Sequence, residues 1–510
     1  MNVGEGTRWY DWPYRKINWL LNGKRAKIIP KKLARFLRLQ LINIEKFNEY
    51  EGYNLVTDKD SQYYMNSISE DNKIDFSIFW AVEFFTPTNI KQLDKVLKDL
   101  KIQQIDDRDY PSETIDEVLE IFRNENTTGE FTIGYFTSQA ANQPEESGFV
   151  TKLPSEFETI SLSGVQVTSS ITAVIVRFNL KSEYEKKLNS LLHMDNKASY
   201  KFRDGLLRVY NRGFTKYNRI QEFIEDTHKS AKEWMTHTLK GHFASSGEDL
   251  PIFEFYLTER NKKNTERESV MHSVLGVDEY GFGKYQHIDH PSLYYYHNSL
   301  GEDKDLFIGD KSSFYESLVD KYGEEWFEIQ AKDKPTAIFK TINRELSSNI
   351  LLLAMTRLLK SWTRLYSQER DRISEAEEKF KIKNLKLIRN NLTSLSFNIS
   401  NLNNEFDYYR RSREKRLFSK FLSVHSHNED FRGKSLHKET LDNQKRMITE
   451  LVKMDKNYRN IISSIASIGE TIENYKISRL ALLVALVSLI VSLIAIPYEL
   501  WIFLINLISN

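Results

Sequence analysis

The 510-residue chain has no cysteine. A disulfide framework, a thiolate zinc site and a cysteine nucleophile are therefore excluded. It also lacks an excess of either charge, since 72 basic against 71 acidic residues leave a formal +1. Wholesale nucleic-acid binding needs a large basic excess and is not expected. Met1 to Gly23 are aromatic and charged with no apolar core, so no secretory leader is read there. No serine-hydrolase elbow, kinase motif set, HExxH pair or dinucleotide fingerprint occurs. Gly276–Lys284 lacks the spacing of a phosphate loop, because Tyr285 follows Lys284 where Ser or Thr is needed.

A hydrophobic fraction of 40% with 13% aromatics supports packed cores, and the length suggests two or three units. Residues 1–330 read as a cytoplasmic α+β domain with a sensing role. Strands are expected at Ile74–Phe85, Phe131–Thr137 and Pro251–Leu257, and a hairpin over Phe157–Leu180 turns at Ser169-Ser170. Helices are expected from Thr86-Pro87 to Leu100, near Ser182–His193, and over Phe214–Lys240 with Gly241 as its stop. Hairpins and helices alternate without a βαβ rhythm, which favours α+β over a doubly wound sheet.

From Pro335 the pattern becomes helical, and residues 335–476 read as a long-helix, coiled-coil stalk. Leu385, Ile388, Leu392, Leu395, Ile399, Leu402, Phe406 and Tyr409 keep a heptad seam. A second seam runs through Met447, Leu451, Met454, Tyr458, Ile461, Ile465, Ile468 and Ile472. His425–Ser435 reads as the turn between them, which makes an antiparallel helical hairpin, and the second seam is the candidate oligomer contact.

Residues 478–510 read as a C-terminal membrane segment. Leu480–Ile496 carries no charge and would rise about 25 Å as a helix, close to a hydrocarbon core of ~30 Å. Lys453, Lys456, Arg459, Lys476 and Arg479 precede it and no basic residue follows, which places the bulk of the chain in the cytoplasm at the cell membrane. A stripe of small residues includes Ser478, Ala481, Ala485, Ser488, Ser492 and Ala495. It serves either close helix packing or the lining of a narrow polar pore.

A divalent metal is the one cofactor class suggested. Asp106, Asp107 and Asp109 follow Ile105 as acidic strand ends do in phosphoryl-transfer sites. His287, Asp289 and His290 are three further candidate ligands within four residues. Solvated polar turns are the commoner use of both patterns.

The order of elements over roughly 335–496, long helices and then a stalk helix entering a C-terminal membrane region, resembles CorA-type cation channels and their divergent relatives among prokaryotic antiviral effectors. The family's Gly-Met-Asn signature is absent: Pro497-Tyr498-Glu499 follow Ile496. A full second membrane helix is also missing. The resemblance implies a homo-oligomer whose cytoplasmic domain responds to a ligand or protein partner and acts on a membrane as a channel or membrane-disrupting effector. The alternatives are a passive tail-anchored tether or scaffold, and a membrane-anchored metal-dependent hydrolase.

Overall fold

The computed structural model describes residues 68–99, 130–137, 148–150, 153–196, 199–203, 206–210, 212–259, 268–277, 282–298, 304–323, 334–379, 382–416, 421–425, 433–495 and 505. The chain divides into two compact units: Met1–Arg357 with Glu405–Gln444, and Leu358–Asn404 with Lys445–Asn510.

The first unit is built on one ten-stranded mixed sheet. Its strands are β1 (Lys73–Phe85), β2 (Glu130–Thr137), β3 (Gly148–Val150), β4 (Phe157–Gln166) and β5 (Thr172–Leu180), then β8 (Ile252–Glu259), β9 (Phe282–His287), β10 (Leu293–Asn298), β11 (Asp305–Asp310) and β12 (Phe421–His425). β6 (Ser199–Arg203) and β7 (Leu206–Tyr210) form a separate antiparallel ribbon. The order across the large sheet is β12-β9-β10-β11-β8-β1-β5-β4-β2-β3. Most pairs are antiparallel, but β11 runs parallel to β8 and β3 parallel to β2.

β1 lies near the centre and is apolar on both faces. Phe79, Trp80, Ala81, Val82, Phe84 and Phe85 are all buried, as expected of a strand covered on two sides. The helices of this unit are α1 (Ile90–Asp99), α2 (Ser182–His193), α3 (Arg212–Thr238), α4 (His242–Ser246), α5 (Glu268–Val274) and α6 (Lys311–Tyr322). α3 covers one face of the sheet: His228 packs edge-on to Phe79, and Trp234 edge-on to Phe178. The first part of α7 (Lys334–Lys379) reaches Trp80, whose side chain alternates to the other face, through Asn343.

The second unit is helical. It contains the rest of α7, the part of α8 (Ile382–Arg416) up to Asn404 and the part of α9 (Leu436–Ala495) from Lys445. Its core contains Leu359, Trp362 and Tyr366 with Ile388, Leu392, Leu395, Ile399 and Leu402 of the first heptad run. Asp455 is buried and accepts hydrogen bonds from Tyr366 Oη at 2.8 Å and Ser396 Oγ at 3.2 Å, and from Arg459 one turn along its own helix. One carboxylate thus joins three helices. Within this unit α7, α8 and α9 are therefore joined in one bundle.

The expected fold class is corrected in two respects. First, the architecture is mixed α/β around one large sheet, and its edge strand β12 comes from the segment between α8 and α9. The parallel pair β8–β11 joins strands whose connection, from Glu259 to Asp305, itself contains β9 and β10, which leaves no short-range βαβ signature. Second, no helix among the described residues is long and apolar enough to cross a membrane. Within the described part of α9 the uncharged stretch Leu480–Ala495 rises about 24 Å, and Lys476 and Arg479 precede it. The transmembrane helix assigned to residues 478–510 is withdrawn.

Candidate functional site

Arg177 interrupts the apolar strand β5, where its neighbours in the sheet are Trp80 on β1 and Ser161 on β4. One step along, Ile175 pairs with Ser163. These residues share a face with α7 above it, and the space between is a cavity of about 190 Å³ lined also by Asn343 and Ser347. Among the described residues none that lines it is acidic. Burial pushes the guanidinium down to about 10 from its usual 12.5, still cationic at neutral pH. Trp80 Nε1 donates to Asn343 Oδ1 at 3.4 Å, and Ser347 Oγ donates to the Asn343 carbonyl at 2.5 Å. Ser161 Oγ is buried and makes no hydrogen bond.

Two further ionisable clusters lie within the sheet. Glu254 is buried on β8 and accepts from Tyr256 Oη at 2.9 Å. His228 Nε2 and Lys304 Nζ approach it at 3.5 and 3.6 Å. Lys304 is also tied to Gln221 Oε1 and the Leu275 carbonyl at 2.8 and 2.9 Å. Burial drives His228 down to about 4 despite the attraction of Glu254, so it is neutral at physiological pH. Asp305 accepts from Tyr295 Oη at 2.6 Å and from Arg357 at 2.6 Å, and its Oδ1 lies 2.9 Å from His297 Nδ1. None of these residues lines the Arg177 cavity. They fasten α3 and α7 to the sheet.

An open groove of about 870 Å³ runs past Glu156, Glu158, Glu183 and Asp226, with Lys181 and Lys187 among them. Charges of both signs line it, so it selects no charge class.

The residues singled out from sequence fall as follows. Asp106, Asp107 and Asp109 lie outside the described residues. His287 and His290 are buried and stacked with ring centroids 5.0 Å apart, packed against Phe421 and Phe314 respectively, while Asp289 is half-buried. Among the described residues no group of three His, Asp or Glu could hold a metal ion. In the second seam, Leu451 is buried, Met447, Met454 and Tyr458 are half-buried, and Ile461 is exposed. Ile465, Ile468 and Ile472 continue the helix. Ser478, Ala481, Ala485 and Ser488 are exposed along α9, and Ser492 and Ala495 are its last positions of the stripe. Around them Leu480, Leu482, Leu483, Val484, Leu486, Val487 and Val491 are 50% to 68% exposed.

Arg177 and its ring of hydroxyls had not been singled out from sequence. The signal was present: a lone cation in the middle of TAVIVRFNL, a strand otherwise apolar enough to be buried.

No family model matches the chain, and no curated protein matches it. Among solved structures, the complete CorA magnesium transporter from Methanocaldococcus jannaschii aligns at 14% identity and a TM-score of 0.21, covering 50% of this chain and 78% of that one. The soluble domain of the same transporter aligns at 15% identity and a TM-score of 0.18, covering 43% and 88%. Likeness at that level carries no argument about fold or function.

Proposed function

We propose that this chain is a self-associating, ligand-responsive protein, in which the sheet-based unit receives the ligand and the end of α9 is where copies meet. The observation that carries this reading is the row of large apolar side chains at Leu480–Val491, each half or more exposed in the single chain. A helix that is apolar all round is buried on every side in its working state. Side chains of this size gain roughly 1.5–3 kcal/mol on full burial, so half-exposed ones recover on the order of 1 kcal/mol each. For seven such residues the total only matches the ~4–15 kcal/mol lost on association, so one helix against one other is marginal. A bundle of several copies covers each helix more fully, and the small residues Ser478, Ala481, Ala485 and Ser488 would allow close approach within it.

One feature supports the receiving role of the first unit, the Arg177 cavity. Transport across a bilayer is not part of this reading. The test is sedimentation equilibrium and native mass spectrometry of the full chain beside the Leu483→Glu, Val487→Glu variant. The wild type is expected to be oligomeric, and the variant monomeric with unchanged circular dichroism. A wild type that stays monomeric at micromolar concentration would overturn the reading.

A further inference from the structure

We propose that the cavity between β1, β4, β5 and α7 is a binding site for a small oxyanion of the phosphate or carboxylate class, with Arg177 as its cation. This deepens the ligand-responsive reading above by naming the ligand's chemistry.

Three observations converge on it. Arg177 supplies a planar, permanently charged fork suited to two oxygens of one anion. It is only half-buried, so a ligand can reach it, and it has a further interaction within the fold. Among the described residues the remaining polar lining is neutral, with Ser161, Ser163, Asn343 and Ser347 around the guanidinium and no carboxylate to repel an anion. Finally, Ser161 Oγ is a buried hydroxyl that makes no hydrogen bond. A buried hydroxyl without an acceptor is costly, and an anion accepts its proton best.

The lining also sets finer expectations. The Asn343 amide oxygen is committed to Trp80 Nε1, which leaves Nδ2 as the edge offered to a ligand. The Ser347 hydroxyl spends its proton on the Asn343 carbonyl, so it presents lone pairs. A ligand with one hydroxyl beside its charged oxygens, such as hydrogen phosphate or a hydroxy acid, matches both. The cavity of about 190 Å³ is larger than the ~150 Å³ that takes a benzene ring and smaller than the ~300 Å³ at which drug-sized pockets begin. Inorganic phosphate or a three-carbon acid fits; a nucleotide does not.

The experiment is isothermal titration of the full chain with sodium phosphate, sodium sulfate and sodium lactate in separate arms at constant ionic strength. Saturable binding is expected in at least one arm, and the arm that wins separates phosphate from carboxylate as the ligand class. Arg177→Gln should weaken it at least about tenfold. Because that variant could fold poorly, Ser161→Ala is the second probe. It removes a buried hydroxyl that has no partner, so it should leave the melting temperature unchanged or higher while weakening binding. Absence of saturable binding in every arm at about 10 mM, or unchanged affinity in a folded Arg177→Gln, would overturn the proposal. Native mass spectra of the same samples separate the two readings. An oligomer without anion binding refutes this site and leaves self-association standing. Anion binding by a monomer establishes the site and refutes the self-association reading.

Discussion

Glu83 is a carboxyl group in the middle of the sheet, and it should make stability fall as pH rises. Its Oε1 accepts from the backbone N–H groups of Phe243 and Phe84 at 2.8 and 3.0 Å, and its Oε2 from that of Ala244 at 3.0 Å. These bonds favour the charged form, but burial outweighs them and raises the carboxyl from 4.5 to about 7. The folded state therefore holds a proton that the unfolded state has released across that window. By linkage, the contribution of Glu83 is fully present below about pH 4.5 and is lost as pH climbs through about 7. At ~1.36 kcal/mol per pH unit the full loss is about 3 kcal/mol, and about 2–3 kcal/mol of it falls between about pH 5 and pH 8. Glu83→Gln isolates the effect. The variant carries a fixed penalty, since one edge of the Gln amide meets N–H groups it cannot accept from, but that penalty does not vary with pH. Urea unfolding of wild type and variant at the two pH values gives a double difference in which it cancels. The wild-type advantage over Glu83→Gln should be larger at pH 5 by about 2–3 kcal/mol. A double difference within about 0.5 kcal/mol of zero would mean that the carboxyl titrates normally and that burial does not govern it.

Gly241→Ala should destabilise by about 1–3 kcal/mol, because a Cβ there would lie 2.3 Å from Glu83 Cγ, inside the packed sheet; thermal melts check it. Arg357→Ala should cost about 3–5 kcal/mol by leaving buried Asp305 without its cation, a loss that Arg357→Met should share if charge rather than volume matters. In the helical unit, Tyr366→Phe should cost about 1.5–3 kcal/mol through the lost bond to Asp455, and hydrogen exchange should speed up in α8 and α9 together.

Local elements were legible in the sequence because their causes are local. The hairpin at Ser169-Ser170 joins β4 to β5, and α3 stops just before Gly241, as read. The heptad run of α8 is buried from Ile388 to Tyr409 as its periodicity demands. β12 was missed: Phe421–His425 is five residues long, between charged stretches, and acquires its strand conformation by pairing with β9 far upstream. The parallel pairing of β11 with β8 was missed for the same reason. In the candidate site, Arg177 was visible as an oddity in its strand, but Asn343 and Ser347 reach it from a helix more than 160 positions later, and no spacing rule connects them. The apolar end of α9 was read correctly as uncharged.

The order in which the sheet is completed bears on how the chain emerges from a ribosome. Phe421 pairs with His287, so the β9 edge waits for α7 and α8 to be synthesised before its neighbour exists. During that interval Tyr285 and His287 stand on a bare strand edge, a template for pairing with another nascent chain. Closure by so distant a partner is entropically slow and belongs to the last steps of folding. A fragment ending at residue 330 never receives that strand, nor the part of α7 that carries Asn343. Such a fragment should be insoluble however well its own hairpins form, and useful cuts in this protein fall after residue 425 rather than before it.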